Sequence, residues 1–178
     1  MLITDEYRSQ QRQMHEKYDY GTASLTYAPM VAQIINANRV GELLDYGAGR
    51  MNLMRAISDQ RMVNHPFRYI PYEPSNPDFS DPPAPAEMVA CVDVLEHIEP
   101  DCLDDVLDDL KRVTKGIGFF TVACGPAAKV LPDGRNAHLI QEPPEWWLPK
   151  LLERFDLYTF QRMPGGFAVS VVSKDMPE

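Results

Sequence analysis

The segment GELLDYGAGRMNLMRAISD, residues 41–59, constrains the fold more than any other part of the chain. A short apolar run at Leu43 and Leu44 leads to Asp45, Gly47 and Gly49 follow at alternate positions, and Leu53, Ala56 and Ile57 then recur at helical spacing. A run this short fits a strand buried on both faces, and the apolar period turns helical once the glycines are passed. Strand, glycine turn and helix in that order form the opening unit of an α/β domain.

The rest of the chain repeats the alternation. FRYIPYEP predicts a second strand ending at Glu73, MVACVDVL a third buried run, GFFTVAC another, and DLYTFQ and FAVSVVS two closing strands around RMPGG. Between them DCLDDVLDDLKRVTK carries Leu103, Val106, Leu107, Leu110 and Val113 on one helical stripe. APMVAQIINANRV predicts a helix with Pro29 in its first turn and Met30, Val31, Ile34 and Ile35 on one face. PPEWWLPKLLERF predicts a helix broken near Pro149. The last two strands, joined by a short loop, must be antiparallel, because a parallel pair needs a long crossover. The expected fold is a mainly parallel sheet covered on both faces, ending in a reversed hairpin. Residues 1–27 are polar with interspersed tyrosines and are expected to lie over the 28–178 core as a flap, the whole forming a single domain.

Composition narrows the function. At 178 residues the chain can bury a substantial core without a metal or disulfide framework. Cys91, Cys102 and Cys124 are odd in number and sit in apolar surroundings, which predicts reduced structural thiols in a cytoplasmic protein. No apolar run is long enough to span a membrane, and no leader pattern opens the chain. A formal net charge of −9 opposes a phosphate backbone, so a small-molecule partner is expected in preference to nucleic acid. Oligomeric state is not legible.

In an open parallel sheet, ligands bind beyond the carboxyl ends of the strands. A glycine turn there lets backbone approach the ligand, and the Asp45 carboxylate suits a cofactor with a cationic amino group better than a pyrophosphate. Glu73, just past the second strand, is placed to accept hydrogen bonds from ribose hydroxyls. Each signal is common alone; in order with VDVLEHIEP they indicate a nucleoside cofactor.

From about Ala28 onward the chain resembles the class I S-adenosylmethionine-dependent methyltransferases. LLDYGAGRMNL resembles their first motif, with Met51 in place of the third glycine; YEP resembles the acidic second motif, and CVDVLEHIEP the motif at the fourth strand. The resemblance implies a Rossmann-like three-layer sandwich binding S-adenosylmethionine and releasing S-adenosylhomocysteine, with no metal. Asp45, Tyr46, Gly47, Ala48 and Gly49 would surround the methionine part, Glu73 and Pro74 the ribose, Phe79 and Ser80 the adenine edge, and Asp93, Val94 and Leu95 the floor. Pro74, Pro77, Pro82, Pro83 and Pro85 crowd the stretch between Glu73 and Met88, which is too short for the family's usual helix, strand and helix. Six strands are therefore expected, with the third-strand edge missing.

Methyl transfer asks the protein for alignment, and sometimes for a base. Two readings stay open for His97: a base near the methyl group, or a histidine bonded to backbone at a helix entry. His138 lies in LPDGRNAHLI among Asp133, Arg135 and Asn136, on the rim where the family binds its acceptor, and is the preferred base, with Arg135 and Asn136 as acceptor contacts. Trp146 is a candidate aromatic wall, its alternative being a packing anchor; Tyr18 and Tyr20 are candidate cleft covers. Asp101, Asp104, Asp105, Asp108 and Asp109 read as a solvated helix face. The function implied is methylation of a small polar acceptor, with O-methylation of a sugar or nucleoside derivative preferred. The alternatives are a non-catalytic cofactor-binding module or partner subunit, and a nucleic-acid methyltransferase.

Overall fold

The computed structural model describes residues 1–17 and 21–175. Its elements run α1 (Asp5–Lys17), α2 (Ala23–Asn38), β1 (Glu42–Tyr46), α3 (Asn52–Asp59), β2 (Arg68–Tyr72), β3 (Ala86–Val92), α4 (Leu103–Val113), β4 (Thr114–Ala123), α5 (Pro144–Leu152), β5 (Phe155–Met163) and β6 (Gly166–Ser173). Tyr18 and Tyr20 fall outside the described residues.

Alternation along β1 sets the layers. Leu43 joins one apolar cluster with Val31 and Ile35 of α2, Leu53 and Ile57 of α3, Met88 and Phe119. Its neighbour Leu44 turns to the other face and joins Leu107 and Leu110 of α4, Trp147 of α5, Val89 and Phe120. Successive strand residues point to opposite sides, so two adjacent leucines seed both cores. Each fully buried leucine contributes about 1.5–3 kcal/mol.

The strands pair in the order β2-β1-β3-β4-β6-β5. β2, β1, β3 and β4 are parallel, while β6 runs antiparallel between β4 and β5. This is the six-stranded Rossmann-like sheet with a C-terminal antiparallel pair. The proline-rich residues 73–85 pass from β2 to β3 without helix or strand, so β2 becomes the sheet edge. Along it, the Arg68 amide donates to Gly41 O at 2.8 Å and Tyr72 O accepts from the Gly47 amide at 2.8 Å. Backbone polar groups alternate sides along a strand, so Pro71, which has no N–H, faces the open edge.

Two helix expectations need correction. α2 begins at Ala23, so Pro29 lies inside the helix and not in its first turn. α5 continues through Pro149 without breaking. Both prolines are exposed. The carbonyls they leave without a helical partner, Leu25 O and Glu145 O, belong to exposed residues, where water satisfies them and the cost of an internal proline falls.

The stripe on α4 is buried as its spacing predicts. Of its acids, Asp104 and Asp108 meet Arg154, Asp109 meets Arg112, and Asp105 meets the N-terminal ammonium. Cys91 and Cys102 are buried and Cys124 half-buried, all three as free thiols. No helix among the described residues is long and apolar enough to cross a membrane.

Candidate active site

The chain leaves β1 toward β2 on one side and returns to β3 on the other, so the carboxyl ends of β1 and β3 flank the switch in strand order. A cleft lies there, lined by Asp45, Tyr46, Gly47, Ala48, Gly49, Glu73, Pro74, Asp93, Val94 and His97, and roofed by Tyr7, Gln11 and His15 of α1.

The glycine turn is tied to its neighbours. The Gly47 and Ala48 amides both donate to Tyr72 O, at 2.8 and 2.9 Å, pinning the turn to the end of β2. Gly47 has φ +84°, and a Cβ there would overlap Val94 Cγ2. Glycine is thus required twice, by conformation and by contact. Met51, where a third glycine was absent, caps α3 with φ 57° in the left-handed region.

Glu73 holds the turn from the other side. Its Oε2 accepts from the Gly49 amide at 3.1 Å, and its Oε1 accepts from the Ser75 amide at 3.0 Å and the Ser75 hydroxyl at 2.7 Å. Asp45 is buried beside the same cleft and accepts from the Tyr69 hydroxyl. Burial pushes its carboxyl up to about 7, the Tyr69 hydroxyl opposes that rise, and the negative charge of Glu73 adds to it. The two carboxylates face one space.

Asp93 follows β3 with φ 51°, a conformation aspartate tolerates better than most residues. Its amide donates to Thr121 Oγ1 at 2.9 Å, and its Oδ1 accepts from that hydroxyl at 2.6 Å. Leu95 is fully buried in the core behind the cleft. Phe79 and Ser80 are not among the residues lining it; the Phe79 carbonyl accepts from the Glu73 amide at 3.0 Å and shapes the turn that follows β2.

Beyond Asp93, the short helical turn Leu95–His97 and the loop after β4 bring two histidines together. Their rings meet edge to face with centroids 4.7 Å apart. His97 Nδ1 donates to Ala137 O at 2.7 Å and His138 Nδ1 donates to Gly125 O at 2.6 Å. In the neutral form of either ring this arrangement leaves the lone pair on Nε2. Burial first, and then the neighbouring His138, bring the His97 pKa down to about 3. The backbone hydrogen bond expected as one role for His97 is present, and so is its place on the cleft wall.

The loop around His138 has its own framework. Asn136 Oδ1 accepts from the Ala127 and His138 amides, both at 2.9 Å, and its Nδ2 donates to Ala127 O at 2.9 Å. Arg135 pairs with Asp133 at 2.6 Å and stands over the Tyr7 ring. Asn136 thus positions His138 by internal bonds. Trp147 is buried in the core, while Trp146 is half-buried against it with the Lys150 ammonium 4.7 Å from its ring centre.

Three contributors escaped the sequence reading. Tyr69 reaches Asp45 across paired strands, and His15 arrives from a polar helix far away in sequence; neither stands in a motif. Glu96 was inside the quoted VDVLEHIEP, and its adjacency to His97 was the available signal. It is fully buried, with Oε1 accepting from the Ala123 amide at 2.9 Å and Oε2 without a hydrogen-bond partner.

No family model matches the chain, and no curated protein does. Solved structures do match. A 1,6-didemethyltoxoflavin N1-methyltransferase from Burkholderia thailandensis, with its 1,6-didemethyltoxoflavin and S-adenosylhomocysteine bound, superposes with a TM-score of 0.67 at 18% identity, covering 98% of this chain and 92% of that one. The mitomycin 7-O-methyltransferase MmcR gives 0.64 at 18% identity over 92% of this chain, which spans 60% of that protein. The magnesium protoporphyrin IX methyltransferase of Synechocystis PCC 6803, with S-adenosylhomocysteine bound, gives 0.60 at 12% identity over 95% and 97% of the two chains.

Proposed function

We propose, on the premise that this chain has the class I S-adenosylmethionine-dependent methyltransferase fold, that it transfers a methyl group from S-adenosylmethionine to a small polar acceptor. The observation that carries this reading is the convergence of Asp45 and Glu73 on one cleft beside a glycine turn.

The residues present fit the cofactor. Asp45 is a buried acid whose ionisation is opposed by desolvation, and an ammonium group arriving beside it would restore the charged form. Glu73 accepts from the Gly49 and Ser75 amides and the Ser75 hydroxyl, and a carboxylate of four lone pairs retains one site, on Oε2, for a ribose hydroxyl. The missing Cβ at Gly47 keeps the turn close to Val94, and Asp93 and Val94 form the floor. When bound, S-adenosylmethionine supplies an electrophilic methyl on a sulfonium centre. The chain's own part is to orient the two reactants and exclude water, a contribution that grows as the geometry tightens.

His97 and His138 mark the acceptor end. In both, Nδ1–H is held by a backbone carbonyl, which leaves Nε2 as the atom that takes a proton or ligates a cation. O-methylation of a sugar or nucleoside derivative remains the preferred chemistry, because a hydroxyl is the acceptor that gains most from such a pair. The neighbours named above act on toxoflavin, mitomycin and porphyrin substrates, which agrees with a small-molecule acceptor.

Calorimetry with S-adenosylmethionine and S-adenosylhomocysteine, followed by turnover of labelled cofactor in a metabolite extract, tests the proposal. Binding with labelled product supports it. Binding without turnover favours a cofactor-binding module, and no binding of either ligand refutes the cleft assignment.

A further inference from the structure

We infer that Glu96, His97 and His138 form a binding site for a divalent transition-metal ion of the zinc type. This departs from the expectation, on sequence alone, that no metal is involved. The acids of α4, where a metal first comes to mind, pair with arginines and the N-terminus. The cluster at the cleft has a different character.

Ligand-type atoms of the three side chains lie within 4.8 Å of one another. Ligands bound at about 2.0–2.2 Å around one ion stand roughly 3–3.5 Å apart, so a contraction of about an ångström closes the site. Glu96 supplies the independent sign of a ligand. It is fully buried, yet Oε2 meets no donor among the described residues. A buried carboxylate oxygen without a partner is costly, and a cation removes that cost.

The two imidazoles are already set for coordination. In each, Nδ1–H is held by a backbone carbonyl, Ala137 O for His97 and Gly125 O for His138. Such an outer hydrogen bond fixes the tautomer in which Nε2 is the ligating atom.

Two imidazoles and one carboxylate favour zinc, cobalt, iron or manganese over magnesium and calcium, which prefer oxygen donors throughout. Three protein ligands leave a coordination position open. His97 lines the cleft, so an ion held by it would border the space where an acceptor oxygen would sit. The site itself stands apart from the cofactor reading: failure to bind S-adenosylhomocysteine would overturn that reading and leave the ion site untouched.

The test is metal uptake by the whole chain. Protein stripped with a chelator is dialysed and titrated with Zn2+ by calorimetry and with Co2+ by visible absorption. One ion per chain is expected, with ligand-field bands for cobalt and a raised unfolding midpoint. His138→Ala, in a half-buried loop, should weaken uptake by about 10–100-fold or more, the range lost when even an outer partner of a metal ligand is removed. Glu96→Gln should do the same while keeping the acceptor for the Ala123 amide. His65→Ala, near the opposite end of the sheet before β2, should leave uptake unchanged. No stoichiometric uptake of either ion by the parent chain overturns the inference. So does undiminished uptake in His138→Ala, whatever the fate of the glutamate variant.

Discussion

His15, on the helix that crosses the cleft, holds Nε2 3.9 Å from Oε2 of Glu73. Burial lowers the histidine's pKa, against the pull of the Glu73 charge, so the contact is between a neutral ring and a carboxylate at neutral pH. The same ring stands over the glycine turn, with Cε1 3.1 Å from where a Gly49 Cβ would be. α1 therefore covers the carboxylate that the proposed ribose contact requires.

That cover sets a rate. His15→Ala should speed association of S-adenosylhomocysteine, measured by stopped-flow quenching of intrinsic fluorescence, because less of the roof must move. An unchanged association rate would mean that the ligand enters elsewhere.

Asp45 predicts a pH-dependent stability. Its folded pKa of about 7 lies above its unfolded value, so its contribution favours folding below the unfolded pKa and is lost as pH rises through 7. Asp45→Asn keeps an acceptor for the Tyr69 hydroxyl and removes the ionisation. The variant should gain stability over the parent between pH 5 and pH 8, by roughly 2–4 kcal/mol at the upper end, in urea unfolding series at each pH. A constant difference across that window would show that Asp45 does not titrate there. Cofactor binding to the parent near pH 6 should release a proton, read as a buffer-dependent calorimetric enthalpy.

Gly47→Ala tests the turn. The new methyl overlaps Val94 and the residue keeps a positive φ, so a loss of about 2–4 kcal/mol is expected. Adding Val94→Ala should recover the steric part and leave about 1 kcal/mol of backbone strain. Complete recovery would show that φ costs nothing at this position.

Glu73→Ala should weaken S-adenosylhomocysteine binding by about 1–3 kcal/mol, the value of a charged hydrogen bond. Because Glu73 also holds Gly49 and Ser75, the comparison is with Ser75→Ala, which removes only the hydroxyl bond to Oε1. Equal losses in the two variants would assign the effect to the turn and not to the ligand.

Local patterns carried most of the fold. The α4 stripe and the change of period after Gly49 need only neighbours a few residues apart to be read. The short RMPGG loop fixed the last two strands as antiparallel by geometry, and the brevity of the proline-rich stretch removed one strand. Pro29 and Pro149 misled because the cost of an internal proline depends on whether the orphaned carbonyl meets water, which a sequence does not display. In the site, the motif residues Asp45, Gly47, Gly49 and Glu73 could be named because backbone and carboxylate roles recur at strand ends. The bonds by which Asn136 frames its own loop leave no periodic trace in the sequence. His15 and Tyr69 reach the site through folding alone, and the burial of Glu96 followed from packing that no local pattern encodes.

The proline at the outer side of β2 has a bearing on how these molecules behave in a crowd. A strand seeking to extend the sheet past β2 would find a carbonyl but no matching donor at Pro71. Templated growth of one copy upon another is interrupted at that flank after a few residues. Pro71 thereby removes one donor from any pairing along this margin of the sheet.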